Sequence, residues 1–215
     1  MKRFIYSLLL LSGLTTGAMA QSAQYQDAMS KQTSDLDSGY VFTPDGLQQK
    51  ANTFERIADA EKSQWLPYYY AAYCNIMHAF LLQDKSKIDP LADKAEASLD
   101  KAEALSPKNS EIACIRSLIA SARLTVDPMT RGMKYGMEAG QQIQLAKTYN
   151  PENPRVYMLL GQSFLFTPEQ FGGSKVKAKE NLEVAVQKYA AFKAESPIVP
   201  HWGELYTKEL LSKAQ

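Results

Sequence analysis

Histidine, cysteine and tryptophan each occur only twice in 215 residues, and no stretch carries a block of like charge. Cys74, Cys114, His78 and His201 are too few, at these spacings, to close a zinc site. No haem-attachment motif is present. No serine sits in a nucleophile elbow, so the two imidazoles have no hydrolase constellation to serve. The 23 acidic residues show no spacing that selects a catalytic carboxylate pair. Basic and acidic residues nearly balance, 24 against 23 for a net charge of +1, which gives no footprint for nucleic acid or an anionic membrane surface. Beyond the N-terminus no apolar run is long enough to span a bilayer. The chain is read as non-enzymatic, with no catalytic residue, metal site or cofactor.

What is present begins with a leader. Lys2 and Arg3 precede an apolar run from Phe4 to Leu11, and Ala18-Met19-Ala20 leads into Gln21. These are the three parts of a secretory signal peptide over 1–20, with cleavage after Ala20. No cysteine follows, so a lipoprotein anchor is not indicated. The expected location is the periplasm, with release to the medium as the alternative. Residues 21–42 are polar and read as a loose arm or one short helix. Thr43-Pro44-Asp45 is a helix-start signature. It opens an apolar stripe of Leu47, Ala51, Phe54, Ile57 and Ala58.

The rest, 43–215, reads as one helical domain. Asn153-Pro154 pairs a cap with a first-turn proline. Tyr157, Leu160, Gly161 and Phe164 then follow at helical spacing. Ala178, Leu182 and Ala185 form a second stripe. The second-helix pattern also occurs at Ala95, Leu99, Ala102, Pro107 and at Ala139, Ile143, Ala146, Pro151. The first-helix pattern has weaker copies at Tyr70, Tyr73, Cys74, Met77 and at Ala113, Arg116, Ser117, Ala120. This resembles the tetratricopeptide repeat, Trp-x2-Leu-Gly-x2-Tyr followed by Ala-x3-Phe-x2-Ala and Pro. Arg116 departs from the family's Leu. The steps from the start of one unit to its second-helix Ala, 28, 29 and 24 residues, are all longer than the family's. The inserts are either longer helices or loops.

The resemblance implies an all-α, right-handed solenoid of about three helical hairpins, over 65–109, 110–153 and 154–197. Helix 43–61 caps its start and segment 200–215 its end. Gly132, Gly136 and Gly140 recur every four residues and are read as close helix packing or local bending. Trp202 is expected to pack under a last helix whose stripe is Leu205, Tyr206, Glu209 and Leu210. Cys74 and Cys114 take different helical positions, which favours two separate buried thiols over a bridge.

In tetratricopeptide proteins the first helices line a concave groove. The register carries that lining to Tyr68, Asn75 and His78, to Glu111, Leu118 and Ser121, and to Arg155, Met158 and Gln162. The function expected from the resemblance is a periplasmic scaffold that binds a peptide or protein segment of the cell envelope. The alternative is a small-molecule binding protein or enzyme, with a Tyr-rich pocket closed by the inserted loops. The oligomeric state stays open at this level.

Overall fold

The computed structural model describes residues 13–36 and 42–215, with backbone only over 13–22. Among these residues the chain is all helical. The helices are α1 (Gly13–Thr33), α2 (Pro44–Ala60), α3 (Trp65–Leu81), α4 (Ile88–Leu105), α5 (Ser110–Val126), α6 (Pro128–Tyr149), α7 (Pro154–Phe166), α8 (Lys175–Ala191) and α9 (Glu204–Lys213). Short 3-10 turns lie at Lys85–Lys87 and Glu169–Phe171. No helix among the described residues is long and apolar enough to cross a membrane.

Helix starts follow local chemistry. Thr43, Asp127 and Asn153 each precede a proline at the first helical position. Thr43 Oγ1 accepts the Gly46 N–H at 3.1 Å, and Asn153 Oδ1 accepts the Arg155 N–H at 3.0 Å. Asp127 Oδ1 accepts from the N–H groups of Met129 and Thr130 at 3.2 and 3.3 Å. Each cap satisfies backbone donors that the first turn leaves without partners.

Helices α3 and α4, α5 and α6, and α7 and α8 pack as pairs. The extra length inside each unit is used differently. Only Asp127 separates α5 from α6, so the insert there is helix. Between α7 and α8 it is a loop, residues 167–174. Gly161 permits the α7–α8 approach, since a Cβ there would stand 2.5 Å from Leu182 Cγ and 3.1 Å from the Ala178 carbonyl oxygen. Arg116, the departure from the repeat pattern, is explained by α4. It reaches Asp100 and Glu103 at 2.7 Å each, and one α5 turn-pair on, Arg123 reaches Asp93 and Glu96 at 2.8 and 2.7 Å. Arg131 of α6 continues the row to Asp89 at 2.9 Å. This rim is joined by charge where the family would place an aliphatic contact.

Of the two readings of residues 21–42 the helix is the one seen, and the expected face of the last helix is corrected. The polar arm is part of a docked helix, because Tyr25, Met29, Thr33 and Leu36, at steps of four, four and three, are buried. Lys50 Nζ ties that end of α1 down through the Gln32 carbonyl at 2.9 Å and Asp35 at 2.7 Å. The α9 face is turned: Thr207, Leu210 and Ala214 are buried, while Leu205 and Tyr206 are exposed. Thr207 can go inside because its hydroxyl donates to the Gly203 carbonyl at 2.7 Å. Trp202 is buried and stacks on Tyr73 of α3 at 4.8 Å. Residues 1–12 and 37–41 lie outside the described residues, so most of the expected leader does too. α1 runs across the expected cleavage position after Ala20. Cys74 and Cys114 are free and buried, and burial pushes both thiols' pKa up.

Candidate functional site

The structure collects three of the nine expected lining residues, Glu111, Arg155 and Met158, into a buried network. Arg155 is 1% exposed. Its Nη2 and Nε donate to Glu111 Oε1 and Oε2 at 2.6 and 2.7 Å. Asn153 Nδ2 adds 2.7 Å to Oε1, and the Tyr69 hydroxyl 3.2 Å to Oε2. Burial alone would lower the guanidinium pKa, but the Glu111 charge and hydrogen bonds outweigh it and raise it. The same burial, with Glu111 close by, holds the Tyr69 hydroxyl well above its ordinary value. Met158 joins the edge of this group, its Sδ accepting from the Tyr189 hydroxyl at 3.8 Å.

The C-terminal strap closes the network. Trp202 Nε1 donates to the Tyr69 hydroxyl at 2.8 Å, and the Trp202 carbonyl accepts from Tyr189 at 3.0 Å and Arg155 Nη1 at 3.3 Å. The Ile198 carbonyl accepts from the Tyr70 hydroxyl at 3.0 Å, and the Pro197 carbonyl from Thr33 Oγ1 at 3.4 Å. Gly203 turns the chain with φ +106°, where a Cβ would crowd the Tyr189 hydroxyl and Met158 Sδ. Arg155 and Met158, read as lining a peptide groove, lie instead against the chain's own strap at Trp202 and Gly203.

The other expected lining residues are dispersed. The Tyr68 hydroxyl donates to the Ala58 carbonyl at 3.2 Å, and Ser121 Oγ to the Ser117 carbonyl at 2.9 Å. Leu118 is buried and Gln162 half-buried. Asn75 Nδ2 and His78 Nδ1 are buried with no hydrogen-bond partner, and burial lowers the His78 pKa.

Two exposed surfaces bear on ligand binding. One is a cleft of about 460 Å³ between α1, α8 and the strap, lined by Ser30, Ser34, Phe192, Pro197 and His201 among others. His201 Nδ1 lies 2.8 Å from the Val199 carbonyl, so the tautomer that donates there leaves Nε2 with its lone pair. The other is the first half of α6. Met129, Met133 and Met137 are 93%, 81% and 60% exposed. A Cβ built on Gly132 or Gly140 meets nothing within 4 Å, and one on Gly136 meets only Leu124 Cδ1 at 3.8 Å. The glycine spacing therefore does not serve close helix packing, the first of the two roles expected from the sequence. α6 lies along α5 through buried Ala139, Ile143 and Ala146, and it meets α7 only sparsely. Sequence reasoning passed over these methionines, although their four-residue spacing beside the glycines was visible.

No protein-family model matches the chain, and no curated protein sequence does either. Among solved structures, the HusA haemophore from Porphyromonas gingivalis is 43% identical, with a TM-score of 0.81, over 89% of this chain and 92% of that one. This likeness overturns the expected peptide-binding scaffold and the protein-binding role attached to the tetratricopeptide resemblance. It favours the small-molecule alternative. The buried network supplies a physical reason at Arg155 and Met158, which already meet the strap.

Proposed function

We propose that this chain, which belongs to the family of the HusA haemophore, is a binding protein that carries haem as its cargo. The observation behind this reading is 43% identity to a haemophore, sustained over nearly the whole of both chains. Haem is a flat apolar ring with an iron at its centre and carboxylates on one edge. It calls for uncovered apolar surface, polarisable or imidazole groups near the metal, and cations at the rim. The chain has uncovered Met and Phe side chains on α6 and in the 167–174 loop, and an imidazole with a free Nε2 in the cleft. It is not read as an enzyme.

The finer features of the sequence reading belong to the same proposal. The leader sends the protein to the periplasm or beyond, where a haem carrier meets its cargo. The three helix pairs stack as hairpins of a right-handed solenoid, supported by the pairing of α3 with α4, α5 with α6 and α7 with α8. The partner that follows is a haem donor or a receptor that accepts the cargo. The test is a titration of residues 21–215 with ferric haem, read by Soret absorbance. Saturation at a fixed stoichiometry, with a Kd on the order of micromolar or tighter, is expected. A spectrum that stays that of free haem throughout would remove the reading.

A further inference from the structure

We propose that the methionine face of α6 is the seat of the porphyrin ring. The proposal rests on the haem-carrier reading and adds the place. Met129, Gly132, Met133, Gly136, Met137 and Gly140 follow steps of three and four, so they share one helix face. That face runs along about 16 Å of helix, comparable to the edge-to-edge span of a porphyrin.

Among the described residues the face has no occupant. Three large apolar side chains stand in solvent at 60% exposure or more, on a helix whose inner side is well packed. Exposed apolar groups that lie contiguously mark a binding surface. The glycines add a second argument. Each weakens a helix relative to alanine, and here none is repaid by a close-packed neighbour. What they leave is flat ground at backbone level, on which a planar molecule can lie while thioethers close over its edges. Methionine suits that task because it is flexible and its sulfur is attracted to aromatic faces.

The surroundings agree. On the far flank of α6, Arg131 is tied to Asp89 of α4, so the methionine face looks away from α4. α6 enters the turn at 150–153 and α7 leaves it, so Phe166 and Met137 stand about equally far from that turn along their own helices. Phe166 is 59% exposed. Lys134 Nζ, on α6 itself, stands 4.7 Å from the Tyr135 ring, a cation on the same helix for a propionate. The rival seat is the cleft beside His201, which has an iron ligand but only the Phe192 and Tyr189 rings as aromatic wall.

The experiment compares ferric haem binding by wild type, the double variant Gly136→Leu with Gly140→Leu, the double variant Met133→Ser with Met137→Ser, and His201→Ala. The leucine pair occupies the flat ground, and because a Cβ meets nothing within 4 Å at Gly140 and only Leu124 Cδ1 at 3.8 Å at Gly136, it should leave the thermal midpoint unchanged or raised. We expect each α6 variant to weaken haem binding at least tenfold and His201→Ala to leave it as in wild type. Wild-type affinity in both α6 variants, with loss in His201→Ala, would move the seat to the cleft and overturn the proposal. A wild type that binds no haem would instead remove the carrier reading, and the seat with it.

Discussion

The buried network and the α6 face meet the same solvent question in opposite ways. The network is built from groups that water would hold well: a guanidinium, a carboxylate, an amide, two tyrosine hydroxyls and an indole N–H. All are taken inside, and each is answered by another. The α6 face is built from groups that water holds badly, and nothing among the described residues covers them. A buried polar cluster and an uncovered apolar patch are both departures from the ordinary rule of burial. The first departure is resolved within the molecule and so reports on the fold. The second is left open among the described residues and so is where the proposed cargo is placed.

The comparison breaks most easily at Glu111. Glu111→Gln keeps the shape but leaves the Arg155 charge buried without its counter-ion. Removing one member of a buried pair costs about 3–5 kcal/mol. We expect a loss of that size in urea denaturation. We also expect the folded fraction to bind haem as wild type does, because the network holds the strap and does not touch cargo. A stable Glu111→Gln variant with weakened haem binding would reverse the roles assigned to the two faces.

How far each face could be read from the sequence follows from how local its causes are. The caps at Thr43, Asp127 and Asn153 depend on contacts two or three residues away, and the helix starts were legible for that reason. The small site at Gly161 was legible from the paired stripes. The α1 stripe at Tyr25, Met29 and Leu36 was present too, but a polar composition hid it. Arg155 was not legible as a core residue, because its partners Glu111 and Trp202 lie 44 and 47 positions away. Seen locally, an arginine on an amphipathic helix belongs on the surface. The exposure of Met129, Met133 and Met137 was hidden for a related reason. A methionine beside a glycine stripe reads as packing until the neighbouring helix is known to stand away.

A pH series sharpens the contrast. His78 lies on α3, buried, with Nδ1 unpartnered, and Asp45 is the charged group that acts on it. Burial disfavours the imidazolium, so the folded pKa lies below the unfolded value near 6.5. The unfolded chain then binds more protons as pH falls below that value, and stability must fall with it. The contribution is fully present above about pH 6.5 and is lost on acidification through the window below. His78→Asn should flatten the decline in thermal midpoint between about pH 7 and 5. An unchanged slope would mean that His78 is solvated in the folded state. The α6 face carries no titrating group among its six residues, so its variants should keep the wild-type slope.

The smallest expected effect on stability is the most informative about that face. A core methionine cut back to a polar residue would cost about 2–5 kcal/mol. Met133 is 81% exposed, and substitutions of that kind stay within about 0.5 kcal/mol. Met133→Ser should therefore leave the urea midpoint of the free protein where it was. The ligand-bound protein should behave differently. A ligand that binds only the folded state adds stability in proportion to the logarithm of its concentration over Kd. Wild type should gain midpoint when saturating haem is added, and Met133→Ser should gain less at the same concentration. If Met133→Ser lowers the midpoint of the free protein by as much as a core truncation would, the side chain is packed in solution. The apolar face would then be covered by the fold, and the distinction between the two surfaces would fail at its open end.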